Sequence, residues 1–216
     1  MPPLTRERIL RTAVAIADRE GPDAVTLRRI AAELAVHVTS LYNHVPTREA
    51  VTDGIVEVLL DDAKLPTEPV PWDTWVRRFF GAVVTIAATH PGAFHALQQR
   101  PVQGPRATAS FEVALAAFTT AGFSPIDAYA AVKTVSLQAL MAGVERSMLA
   151  RGDMPETDVA DLPAESFPLV RALASQYDYE DNSSFAVETL VAGLRAQLRS
   201  RSPRKLPRGK RDIASS

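Results

Sequence analysis

Side chains suited to holding nucleic acid crowd into one stretch of this chain, residues 26–48. The Arg28 guanidinium matches the O6 and N7 acceptors of guanine in a bidentate pair, reaches a phosphate, or stays in solvent. Thr26 and Thr39 carry hydroxyls that donate to phosphates from near helix N-termini, where backbone N–H groups already favour anions, and Thr26 also suits a helix cap. Val38 and the Thr39 methyl fit the C5-methyl of thymine. Ser40 and Asn43 offer hydrogen bonds to base edges, Asn being the partner of adenine N6 and N7. Tyr42, Asn43 and His44 follow without an acidic neighbour. His37 either touches a phosphate or is a solvated turn residue. Arg48 stands in the first turn of a following helix, where its charge opposes the dipole and a nearby phosphate would account for it.

The elements that must position these groups are two short helices and a turn. Leu27, Ile30, Ala31 and Leu34 recur at i, i+3, i+4 and i+7, the apolar face of a two-turn helix. Ala35-Val36 breaks that period, and a shorter segment follows with Leu41 inward and residues 38–40 and 42–44 outward. This is the layout of a helix-turn-helix whose second helix enters the major groove. A first helix precedes it, with Ile9, Leu10, Ala13, Val14, Ile16 and Ala17 inward, Thr5 as N-cap and Gly21-Pro22 as stop. A longer one follows over 48–63, with Val51, Ile55, Val58 and Leu59 inward.

Pro66, Pro69 and Pro71 mark a linker, and helical periodicity then resumes. Helices are expected over 72–89, 104–121, 125–150, 164–177 and 184–200, with no convincing strand. The expected fold is all-α: a helix-turn-helix DNA-binding domain over 1–47, and a ligand-binding and dimerisation domain over 48–200 that begins with the connecting helix 48–63. A basic tail over 201–216, rich in Arg, Ser, Pro and Lys, is expected to be disordered.

Charge is partitioned along the chain. Residues 1–50 carry 7 Lys/Arg and 6 Asp/Glu, residues 51–198 carry 10 and 18, and residues 199–216 carry 7 and 1. An acidic body between a near-neutral head and a basic tail confines any DNA contact to the head, with help from the tail. The absence of cysteine excludes disulfides and thiolate metal sites. No segment reads as a signal peptide or membrane span, so a soluble, cytoplasmic protein is expected. No Gly-rich phosphate loop, Ser/His/Asp set or His-x-x-Glu-type motif is present, and His37, His44, His90 and His95 are not spaced as ligands. Neither an enzyme, a metal site nor a cofactor is expected.

Val25-Thr26-Leu27-Arg28-Arg29-Ile30-Ala31, Leu41-Tyr42-x-His44-Val45 and Arg48-Glu49-Ala50 resemble the TetR family of bacterial transcriptional regulators. Weaker likeness to its tetracycline-repressor branch continues to about position 200, through Trp72, Arg100-Pro101, Gly122-Phe123-Ser124, Phe167–Arg171 and Gly193–Leu198. Two departures stand out: Ala35, where the family has glycine in the turn, and Val38-Thr39-Ser40 at the base-reading face. The Tyr-x-His pattern implies that Tyr42 and His44 hold phosphates, packing under the connecting helix being the alternative for His44.

The resemblance further implies an inducer bound between the body helices and a two-fold homodimer through helices near 125–150 and 184–200. Their apolar faces are Ala128, Val132, Val135 and Leu140, and Phe185, Val187, Leu190 and Leu194. The candidate ligand residues are Phe79, Val83, Phe94, His95, Gln98, Arg100, Phe111 and Phe118, although the aromatic ones equally suit a plain core. Aligned through Arg100-Pro101, the positions that hold a magnesium chelate in the tetracycline-repressor branch are Lys64, Phe79 and Ala96, and only Glu145 keeps a suitable carboxylate. The implied inducer is apolar or aromatic and independent of metal. The expected function is a ligand-responsive regulator, a repressor on a palindromic double-stranded DNA operator. The alternatives are an activator of the same family and a helical small-molecule-binding module without specific DNA binding.

Overall fold

The computed structural model describes residues 3–99, 104–153, 162–174 and 179–200. Ten α-helices stand among them: α1 (Arg6–Glu20), α2 (Leu27–Leu34), α3 (Val38–Leu41), α4 (Arg48–Asp62), α5 (Trp72–Thr89), α6 (Ala96–Gln99), α7 (Pro105–Thr120), α8 (Pro125–Arg151), α9 (Pro168–Ala174) and α10 (Tyr179–Ser200). The fold is all-α, as the periodicity requires. Four helices start on a hydroxyl that accepts a backbone N–H three residues on: Thr5 from Arg8, Thr26 from Arg29, Thr47 from Ala50 and Ser124 from Asp127. The expected start and stop residues therefore act as read. α10 begins earlier than 184 and α9 later than 164. The basic tail 201–216, the Arg100-Pro101 pair and most of the acidic loop lie outside the described residues.

Two packed centres organise the chain. One runs from α1 through α4 to α6, with Ile9, Ile30, Leu41, Val45, Leu59 and Phe94 fully buried in it. The other gathers Trp72, Trp75, Phe118, Phe123, Val132 and Val191 from α5, α7, α8 and α10. At two glycines the elements approach too closely for a side chain. A Cβ on Gly92 would fall on the Ala17 carbonyl oxygen, and one on Gly143 would fall on the Phe94 ring. The first lets the α5–α6 connection lie directly on α1. The second seats Phe94 against α8, so this aromatic belongs to the core.

The faces of α8 and α10 read as dimerising are mostly internal. Ala128, Val132 and Val135 are buried in the second centre, as is Leu194. They are consumed by packing on α5 and α7, which periodicity alone does not distinguish from packing on a second chain. Apolar side chains left outside among the described residues include Ile126, Leu137 and Met141 on α8, Leu169 and Leu173 on α9, and Phe185 on α10.

Ala35 ends α2 at φ 54°, ψ 44°, with its N–H bonded to the Ala31 and Ala32 carbonyls. A Cβ in this left-handed conformation is strained, whereas glycine is not. Ala35→Gly should raise stability by about 0.5–1 kcal/mol, and Gly92→Ala should lower it by about 1–3 kcal/mol or more because backbone has to move. Urea unfolding monitored by circular dichroism reads both; a lower midpoint for Ala35→Gly would contradict the strain.

Candidate nucleic-acid interface and internal cavity

The reading head is small. α3 is a single turn, extended by backbone bonds from the His44 and Val45 N–H groups to the Leu41 carbonyl. Leu41 and Val45 are wholly buried and pin it to the head. Thr26, Arg28, His37, Thr39, Tyr42, Asn43 and Arg48 are exposed, whereas Val38, Ser40 and His44 are half-buried. Val38 packs partly on the head core, so it offers less methyl surface than an outward position would. The Thr26 hydroxyl oxygen caps α2 at 3.1 Å from the Arg29 N–H, and its proton remains available.

The adjacent arginines of α2 divide the work. Arg29 donates to both oxygens of Glu20 at 2.9 and 2.7 Å and to Glu33 at 2.7 Å. Arg19 donates to the same two carboxylates. Hydrogen bonds to Glu20, then to Glu33, raise the Arg29 pKa, and those from Arg29 and Arg19 pull Glu20 down to about 2. This network stitches α2 to the end of α1. Among the described residues, no carboxylate pairs with the guanidinium of Arg28 or Arg48. Two cations without a carboxylate partner among the described residues thus stand on either side of α3 in the chain, on α2 and α4.

A second cluster fastens head to body. Asp18 on α1 meets His90 Nδ1 at 2.7 Å and accepts the N–H groups of Gly92 and Ala93 at 3.0 and 2.9 Å. His90 Nε2 lies 3.9 Å from Asp62, whose carboxylate also takes both ends of the Arg11 guanidinium. Arg6 binds Glu57 the same way. α1 is thereby clamped along α4.

The body holds a half-open cavity of about 610 Å³, within the range that small-molecule sites occupy. Leu59, Leu60 and Ala63 of α4 form one wall, Trp75, Phe79 and Val83 of α5 another, and Ser110 and Phe111 of α7 a third. α8 closes it with Tyr129, Val132, Lys133, Ser136, Leu137 and Leu140. Of the expected ligand residues the structure brings Phe79, Val83 and Phe111 together here. Phe118 is buried among Trp72, Trp75 and Phe123 with ring centroids 5.3–6.4 Å apart. Phe94 packs on Gly143. His95 faces another groove, beside Arg48 and Thr52, and hydrogen-bonds Gln99 at 2.8 Å. Gln98 is exposed on α6, and Arg100 lies outside the described residues. Sequence reasoning missed Ser110 and Tyr129, whose polar groups looked like helix surface.

Residues 9–53 match the family described as bacterial regulatory proteins, tetR family. An HTH-type transcriptional regulator of Saccharopolyspora erythraea is 35% identical over 136 residues, which cover 62% of this chain and 58% of that one. The chain thus spans little more than half of that relative. The tetracycline repressor protein class D of Escherichia coli is 29% identical over 207 residues, covering 90% and 91%. The TetR family protein ActR of Streptomyces coelicolor, solved in complex with actinorhodin, superposes with a TM-score of 0.75 at 28% identity over 91% of this chain and 99% of its own.

Glu20 ionises about 2 in the fold against an ordinary 4.5, so the folded chain binds fewer protons and its network helps fully above the ordinary value. That help is lost as pH falls toward 2. Melting temperatures from about pH 6 down to pH 3 should fall more steeply for the native chain than for Glu20→Gln. Equal slopes would show that the network does not carry this pH dependence.

Proposed function

Given that the chain belongs to the tetR family of bacterial regulatory proteins, we propose that it is a homodimeric, ligand-responsive transcriptional regulator. It holds a palindromic DNA operator as a repressor and releases it when a small molecule fills the α4–α5–α7–α8 cavity. The observation that carries this reading is the placement of α4. Its first turn bears Arg48 beside the reading head, and its last turns bear Leu59, Leu60 and Ala63 on the cavity wall. Fifteen residues of helix make a rod of about 22 Å. An occupant that displaces Leu60 therefore shifts Arg48 and the α3 junction with it. The actinorhodin complex of ActR supports a small organic occupant.

One turn of helix reads few base pairs, so specificity calls for two heads and a two-fold operator. Met141 and Phe185, exposed on α8 and α10, supply apolar surface for a second copy. Arg28 and Asn43 are the base-reading candidates, and Tyr42, Thr39, His44 and Arg48 the phosphate-holding ones. Among the described residues no helix is long and apolar enough to cross a membrane.

Selection of duplexes from a genomic library should recover a palindrome whose binding weakens steeply with salt. Arg28→Ala should cost about 1–3 kcal/mol and relax preference at one base pair; Tyr42→Ala should weaken all sequences alike. Unchanged affinity in both variants would overturn the docking face.

The occupant is apolar or aromatic and bound without metal. No group of three or more His, Asp or Glu is gathered among the described residues. Glu145 lies in a different groove with Thr85 and Arg146, and Lys64 in a cleft with Asp62 and His90. Tetracycline with magnesium should therefore neither raise the melting temperature nor free the operator. A clear effect of either kind would refute a metal-independent site.

A further inference from the structure

The cavity wall contains two polar groups with nothing to bond. Trp75 on α5 and Ser110 on α7 are each 1% exposed and both line the cavity. Neither the indole Nε1 nor the Ser110 hydroxyl has a hydrogen-bond partner. Buried donors in folded proteins are nearly always paired, and an unpaired one destabilises its own fold. The neighbouring hydroxyls show the contrast. Thr108 donates to the Gly104 carbonyl at 3.0 Å and Ser136 to the Val132 carbonyl at 2.8 Å, so their protons are used inside their own helices.

The remaining chemistry of the wall has one sign. Lys133 is exposed at the α8 side, no described carboxylate lies in salt-bridge range of it, and no Asp or Glu lines the cavity among the described residues. The rest is flat and apolar: Phe79 stacks on Trp75 with centroids 4.7 Å apart and planes 15° from parallel, and Phe111 meets Tyr129 edge-on at 6.1 Å. Such a wall offers donors, one cation and ring faces. It asks for acceptors on a planar frame.

We infer that the effector is a planar aromatic with a ring carbonyl that accepts from the Trp75 N–H and the Ser110 O–H, and with an acidic group that faces Lys133. This rests on the effector cavity proposed above and names what the cavity selects. The donors discriminate rather than merely attract. An aromatic without the carbonyl leaves both buried groups as unbonded as they are in the empty cavity, while one with it satisfies them.

The test is calorimetric titration of the full chain with anthraquinone-2-carboxylate and with anthracene-2-carboxylate, which share ring frame and acid and differ in the ring carbonyls. The quinone should bind about tenfold or more tighter. In Ser110→Ala and in Trp75→Phe that preference should shrink to about threefold or less, with affinity for the anthracene acid within about twofold of the original. Free Ser110→Ala should melt no lower than the native chain, because an unbonded buried hydroxyl has been removed; a hydroxyl with a purely structural role would lower it. Equal affinity of the two probes for the native chain, or a preference that survives both substitutions, overturns the donor assignment and leaves the cavity as effector site intact. Failure of both probes to bind overturns the cavity as effector site, and this inference with it.

Discussion

The Asp18 carboxylate is shared by parts of the chain more than seventy residues apart, and the relation of head to body hangs on that sharing. One oxygen takes the N–H groups of Gly92 and Ala93, the other meets His90, and Gly92 lets the two backbones touch. Polar groups so placed are costly to separate, because each would be left without its partner in a half-buried junction. The joint between α1 and the end of α5 is therefore stiff. α4 is clamped to α1 through Arg6–Glu57 and Arg11–Asp62, in the same half of the helix that lines the cavity with Leu59 and Leu60, so the cavity wall and α1 are tied to each other directly.

Electrostatics sorts the head's cations by role. Arg29 is neutralised by Glu20 and Glu33 and holds helices together, while Arg28 one residue earlier has no carboxylate partner among the described residues. Adjacent side chains on a helix point about 100° apart, so one arginine can be structural and its neighbour available. Where a surface is meant to meet phosphates, an unpaired guanidinium keeps its charge for the partner.

How much of this was legible beforehand depended on whether the signal was local. The caps Thr5 and Thr26, the stop at Gly21 and the left-handed Ala35 are decided by a few neighbouring residues, and periodicity located Ile30, Leu34 and Leu41 in the core. Long-range facts were not legible. Nothing around Gly92 or Gly143 announces that another backbone or ring lies against it. Phe94, Phe111 and Phe118 carry the same ring, yet only Phe111 faces the cavity, because the crossing of α5, α7 and α8 chooses among them. His95 and Gln98 sat beside the right helices but on turns aimed elsewhere, and the exposed apolar side chains of α8 include Ile126 and Met141 rather than the buried Ala128, Val132 and Val135 that periodicity favoured.

The brevity of α3 has an evolutionary side. A four-residue helix is not stable on its own; here Leu41 and Val45 hold it in place from beneath, and Thr39, Tyr42 and Asn43 stand clear of that packing. Folding and reading thus draw on separate side chains. On the function proposed above, substitutions at the three outward positions would retune which bases are preferred with little effect on whether the head folds, so a duplicated copy of such a gene would be free to drift to a new binding sequence without passing through an unfolded intermediate.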